Sequence, residues 1–346
     1  MVFRQGTAIA YIPVLIGAVS CILLARFGLF GFLCFLPLGV MAAGYGFRAA
    51  WVCLILAAAG NGLWSVVTAA VSRASWDWAL WGAAQFALIA AAFTWIMAPS
   101  FRDADEPPGK MPPVRIPGVY RFVIASCAAV LLFIPVIASL RQDTAFAAFI
   151  RAQTEALAAL YSAAAGADVV EKSLMEQYLT PEFIRETLFF TALRGGVMAS
   201  FMLFFFINRQ IALALVWIFR RIRGGGTLAG FHIPQVFIWV LSFSLLAILA
   251  GRKWGITPLE IAAWNGLVIC GILYLAQGGG IAAYFIGRAN LPPFMRLALN
   301  FLLVMLIISP GINAILLGAL VLLGIAENWA PFRVPKIKGP SSTPGM

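Results

Sequence analysis

Polar positions along most of this chain are too sparse to line one face of any element. Apolar runs of about 20 residues follow one another without period-two alternation, each long enough to cross a hydrocarbon core of roughly 30 Å. Backbone groups in lipid must find their hydrogen bonds within the segment, so these runs predict helices. The spans read as approximately 7–24, 28–46, 49–71, 76–98, 118–140, 187–219, 233–250 and 259–287. A final apolar stretch, 297–326, is broken by Pro310-Gly311. It forms either one kinked ninth span or a re-entrant hairpin; the basic tail (Arg333, Lys336, Lys338) favours the hairpin, which returns it to the inner side. The expected fold is all-α: a polytopic transmembrane helix bundle of about eight spans plus that hairpin or ninth span. Residues 1–346 are read as a single integral membrane domain.

Hydrophilic segments divide the pattern. Residues 100–118, "SFRDADEPPGKMPPVRIPG", are rich in proline and charge and predict an irregular loop. Residues 141–186 hold most of the acidic side chains. Within them Phe146, Phe149, Ile150, Leu157, Leu160 and Tyr161 recur at helical spacing, with Arg141, Asp143, Arg151 and Glu155 off that stripe. That pattern predicts an amphipathic helix lying on the membrane or on the bundle. "TPEF" then starts a new helix, with Thr180 as cap, Pro181 in the first turn and Glu182 complementing the dipole. Residues 327–346 form a polar tail.

Composition agrees with the pattern: 62% of residues are hydrophobic and 11% charged, where a water-facing surface needs about 25%. The net charge of +11 does not point to nucleic acid, because the basic residues cluster at span ends, where they set topology and meet lipid headgroups. With the N-terminus in the cytoplasm the inner side collects eleven Lys and Arg against eight outside, and "RRIR" (Arg220–Arg223) falls inside. The reading is therefore a multi-pass protein of a bacterial cytoplasmic membrane, N-terminus inside, with 100–118 cytoplasmic and 141–186 extracytoplasmic. Arg4 before an apolar run superficially resembles a signal peptide, but an uncleaved first span fits better. Cys21, Cys34, Cys53, Cys127 and Cys270 all sit in apolar runs without paired spacing, and read as small hydrophobes.

Polar groups inside spans are the functional candidates, since each is costly in lipid unless matched. Arg209, in "INRQ" (Ile207–Gln210), is either an anion-binding arginine in a cavity or, if the sixth span starts near Leu188, a residue at its inner end. Asn61 and Gln85 are single amides in apolar helices, a pattern that also serves as interhelical glue. Ala83, Ala87 and Ala91, and likewise Ala125 and Ala129, form small-residue stripes suited to close helix approach. In "NGLVICGILYLAQGGGIAAYFIGR" (Asn265–Arg288), Gly266, Cys270, Gln277 and Tyr284 share one narrow arc, and Gly271, Gly278 and Ala282 the next. The triple glycine Gly278–Gly280 either packs tightly or loosens the helix and frees carbonyls for a ligand. The candidate ligand-binding set is Asn265, Gln277, Tyr284, Asn61 and Arg209. One histidine, His232, no metal-ligand spacing and no P-loop leave no expected metal, cofactor or nucleotide hydrolysis, and no catalytic residue is assigned; the chain is read as a non-enzyme.

"WNGLVICGILYLAQGGGIAAYF" (Trp264–Phe285) and the closing "LLGIAENWAPFR" (Leu322–Arg333) resemble the YybS-like family of bacterial integral membrane proteins, a domain of unknown function. The matching positions are Asn265, Tyr274, Gln277, Gly278, Trp329, Phe332 and Arg333, with Glu327 or Asn328 in an acidic slot. The resemblance implies a fold distantly similar to the substrate-binding component of energy-coupling-factor transporters. Such a component binds a small molecule and borrows ATPases and a coupling subunit. The first span lacks the Ala-x-x-x-Ala stripe that touches that subunit. The expected partners are thus the bilayer, a small-molecule ligand and a coupling subunit or other membrane protein. The alternative is a membrane scaffold or regulatory protein whose "ENWAPFR" tail docks a partner.

Overall fold

The computed structural model describes residues 11–26, 28–72, 76–98, 118–164, 180–220, 230–289, 291–292, 294–295, 298–299, 302, 305, 312–330 and 332–333. Every regular element among them is a helix. In chain order these are α1 (Tyr11–Arg26), a 3-10 helix (Gly28–Leu33), α2 (Leu36–Gly44), α3 (Phe47–Ser72), α4 (Trp76–Ile96), α5 (Gly118–Gln142), α6 (Thr144–Ala164), α7 (Pro181–Thr191), α8 (Val197–Arg220), α9 (Val236–Trp254), α10 (Thr257–Arg288) and α11 (Ile312–Ala326). They gather into two compact units, Met1–Gly225 and Gly226–Met346.

Six helical stretches among the described residues are long and apolar enough to cross a membrane, against the eight spans expected: α3, α4, α5, Pro181–Phe219, α9 and α10. The other expected spans are shorter in their described parts. In α1 the described helix is 16 residues long. The expected span 28–46 is broken at Cys34-Phe35, between the 3-10 helix and α2, whose first turn carries Pro37. In the last stretch the continuous described helix is the 15-residue α11. Pro310-Gly311, on which the choice of hairpin or single span turns, lies outside the described residues, as do most of the 100–118 loop and the end of the tail.

The sixth apolar stretch is helical from Pro181, ahead of the expected 187. Thr180 caps it by accepting from the Phe183 N–H at 3.3 Å, Pro181 follows, and helix continues to Phe219. Between α7 and α8 one wide turn, Ala192–Gly196, interrupts it, with Gly195 at φ 119°. A side chain at that φ would be strained, so glycine is what lets the two helices join at a kink.

In the first unit the core lies where α1, α2, α3, α4, α5 and α8 meet. Phe35, at the start of α2, anchors it: its ring stacks on Phe93 (5.7 Å) and meets Phe204 edge-on (5.1 Å). Ala125 and Ala129 of the small-residue stripe are buried in this core. On the outside, large apolar side chains stand bare, Val71 at 81% and Leu131 at 66% exposure, as a surface solvated by lipid requires.

In the second unit α9 packs along α10, and α11 runs antiparallel to the C-terminal half of α10. Gly278 and Gly324 fix that second crossing. A Cβ on Gly278 would run into the Leu320 carbonyl, and one on Gly324 into the Tyr274 carbonyl. The two backbones therefore touch. The triple glycine does not loosen the helix as its composition allowed: α10 is unbroken from Thr257 to Arg288. A polar backbone surface bared in lipid would go unsatisfied, so the glycines serve close approach instead.

Gly324→Ala is expected to lower the melting temperature of the purified protein, an overpacking cost of about 1–3 kcal/mol. Gly318→Ala, whose added methyl meets nothing within 4 Å, leaves it unchanged or raises it. Equal melting temperatures for the two variants would show that this crossing does not limit stability.

Candidate functional site

The second unit holds a buried polar cluster where the start of α9 and the end of α11 reach α10. Gln277 is 2% exposed, and both ends of its carboxamide are engaged. Its oxygen accepts from the Ile233 N–H at 2.8 Å, and its nitrogen donates to the Gly324 carbonyl at 3.0 Å. One side chain thus satisfies a main-chain donor ahead of α9 and a carbonyl in the last turn of α11, groups that would otherwise be orphaned at helix ends. One turn before it, the fully buried Tyr274 hydroxyl accepts from Asn328 Nδ2 at 3.4 Å.

An ion pair closes the cluster. Arg333 grips the Glu327 carboxylate through Nε and Nη2, and both side chains are 3% exposed. Arg333 Nη2 also donates to the Phe231 carbonyl at 2.8 Å, and the exposed His232 ring stands 3.8 Å from Glu327. The tail is therefore folded back on its own unit. Trp329 of "ENWAPFR" is 71% exposed, and Ala330 beside it is exposed too.

In the first unit the polar side chains are spread along several helices and mostly engage neighbouring elements. Arg26, closing α1, donates to Asn61 Oδ1 (2.7 Å) and Ser65 Oγ (2.9 Å) on α3. Gln85 donates to the Leu132 carbonyl at 2.6 Å. Arg121, buried in the first turn of α5, donates to the Trp95 and Ala98 carbonyls at 3.2 and 2.8 Å. A guanidinium there complements the negative end of the α4 dipole. Asn208 is fully buried and ties α8 to the 3-10 helix by donating to the Phe32 carbonyl at 2.7 Å; its own oxygen accepts no hydrogen bond among the described residues.

Arg209 follows Asn208 and is half-buried within electrostatic range of Arg121. Among the described residues no hydrogen bond or ion pair engages it. Arg121 closes the end of α4, so Arg209, midway along Val197–Arg220, lies within electrostatic range of that helix end. Two guanidiniums that repel each other, set beside helix-end amides, form a place where an anion would relieve the repulsion.

The five residues expected to bind a ligand are divided between the two units. Asn61 serves Arg26, and Arg209 faces Arg121; both lie in the first unit. In the second unit Gln277 is locked to backbone, while Asn265 Nδ2 donates to its own helix at Ile261 (2.9 Å). The Tyr284 hydroxyl accepts from Arg288, one turn on. Sequence reading missed Arg121, because an arginine just inside a span end looks like a topology signal until its neighbour on another helix is known.

Compared with known proteins, the family model described as "Predicted membrane protein (DUF2232)" matches residues 108–326. No curated protein and no solved structure matches the chain.

Arg333→Met is expected to strip Glu327 of its buried counter-ion and destabilise the protein by about 3–5 kcal/mol. Adding Glu327→Gln to it should recover much of the lost melting temperature, a coupling that a double-mutant cycle in thermal melts would measure. Simple additivity of the two variants would show that the pair is not coupled.

Proposed function

Because the chain belongs to the DUF2232 family of predicted membrane proteins, we propose that it is an integral membrane binding protein. In this proposal it holds a small anionic molecule against Arg209 and Arg121. One observation carries the reading: Arg209, half-buried in a helix long enough to span, engages no described partner and faces a second arginine. An unmatched cation at such a position costs several kcal/mol, which an anionic ligand removes. By the positive-inside rule we assign this end of the helices to the cytoplasmic face, with the N-terminus inside.

The YybS-like resemblance supports a finer form of the proposal, a transporter's substrate-binding component that borrows its ATPase, since the chain has no P-loop. Of the two small-residue stripes a coupling subunit could use, Ala125 and Ala129 are buried within the first unit. The partly exposed Ala83, Ala87 and Ala91 on α4 remain for such a contact.

Purified protein should melt higher in a panel of phosphate esters and polycarboxylates, by an amount that approaches roughly 3 kcal/mol at a hundredfold excess over Kd. Arg209→Gln should abolish the rise, and Arg288→Gln should keep it. Asp103, Asp105 and Glu106 of the 100–118 loop, outside the described residues, are neutralised in a third variant (D103N/D105N/E106Q). A rise seen only in that variant would mean that the chain's own carboxylates fill the site. No rise in either background, or one that survives Arg209→Gln, equally overturns the proposal.

A further inference from the structure

We propose that α6 is a surface-seated helix that inserts one side into the lipid at the membrane face where α5 ends. The sequence left two seats for this helix, membrane or bundle, and the structure divides its apolar stripe between them. Ile150 (7% exposed) and Thr154 (3%) turn inward, and Phe146 meets the Phe189 ring of α7 edge-on at 6.0 Å. Thr154 hides its hydroxyl by donating to the Ile150 carbonyl at 2.8 Å, so that this inward side is effectively apolar.

Three further residues of the stripe stand bare among the described residues. Phe149, Leu157 and Leu160 are 57%, 41% and 69% exposed. At 100° per residue they fall within an arc of roughly 80°, directly beside the buried sector. Gln153 is the polar residue within that arc, and Arg151 and Glu155 lie on the far side of the helix. The helix thus carries an inward sector on α7, a bare apolar sector and a charged sector.

Lipid is the occupant because of where the helix is tied. Only Asp143 separates α6 from the end of the spanning helix α5, and its carboxylate caps α6 by accepting from the Ala145 N–H at 2.7 Å. Across from it, α7 opens the next spanning stretch, and an Arg141–Glu186 ion pair at 3.0 Å joins the end of α5 to α7. A helix held between two span ends cannot leave the interface. Burying the three side chains in the acyl boundary there would stabilise this seat by several kcal/mol relative to water.

A ketone-bearing amino acid carrying a spin label tests this without touching the native cysteines. It is placed singly at Phe149, Leu160 and Glu155 in the full chain, in phosphatidylethanolamine–phosphatidylglycerol vesicles. Labels at 149 and 160 should relax with oxygen at least severalfold more readily than with a water-soluble nickel complex, and the label at 155 should show the reverse. Nickel access at 149 and 160 would overturn the proposal by placing the sector in water. Spin–spin broadening there that vanishes on dilution with unlabelled protein would overturn it in favour of a second copy. Loss of oxygen access without broadening would do so in favour of another protein surface.

Discussion

A main-chain amide or carbonyl inside a lipid-solvated protein has no water to fall back on, and this constraint governs where the chain places its few polar side chains. Gln277 shows it most directly. Its carboxamide is spent on the Ile233 N–H and the Gly324 carbonyl, two groups that the ends of α9 and α11 leave without intrahelical partners. Asn208 does the same for the Phe32 carbonyl, while Gln85 donates to the Leu132 carbonyl, three residues before the Pro135 inside α5. Gln277 and Asn208 look like ligand-seeking groups in a hydropathy profile, yet both serve main-chain groups of neighbouring elements.

Charges obey the same rule with higher stakes. Glu327 and Arg333 are both shielded, and each is satisfied by the other and by backbone. Arg26 is distributed over Asn61 and Ser65, and Arg121 over two carbonyls at the end of α4. Against that background Arg209 stands out, because its neighbours add repulsion where others supply acceptors.

Close backbone approach is the other device, and glycine supplies it. Gly39 lets α2 approach Ala212 of α8, and Gly278 with Gly324 brings α10 against α11. The triple glycine was legible as a packing surface or a loosened helix, and helical geometry alone could not choose. Which of its residues matters was not legible at all. Gly278 touches a neighbouring backbone, whereas a side chain at Gly271, predicted on the same arc, would meet open space. An arc is a property of one helix, and contact needs a second.

By itself the sequence determined the lipid-solvated all-α character, because composition and run length report directly on solvent and on backbone satisfaction. It also determined the Thr180-Pro181 helix start and the amphipathic stripe of α6, because caps and periodicity are local. Run length alone did not divide the stretch 28–46, which is apolar throughout and is broken by turn geometry at Cys34-Phe35. Only the tertiary structure decided the partners of each polar group. It gave Gln277 to backbone, folded Arg333 back onto Glu327, and set Arg209 opposite Arg121. Those pairings join residues that lie far apart in the chain or on different helices, and no one-dimensional pattern carries that distance.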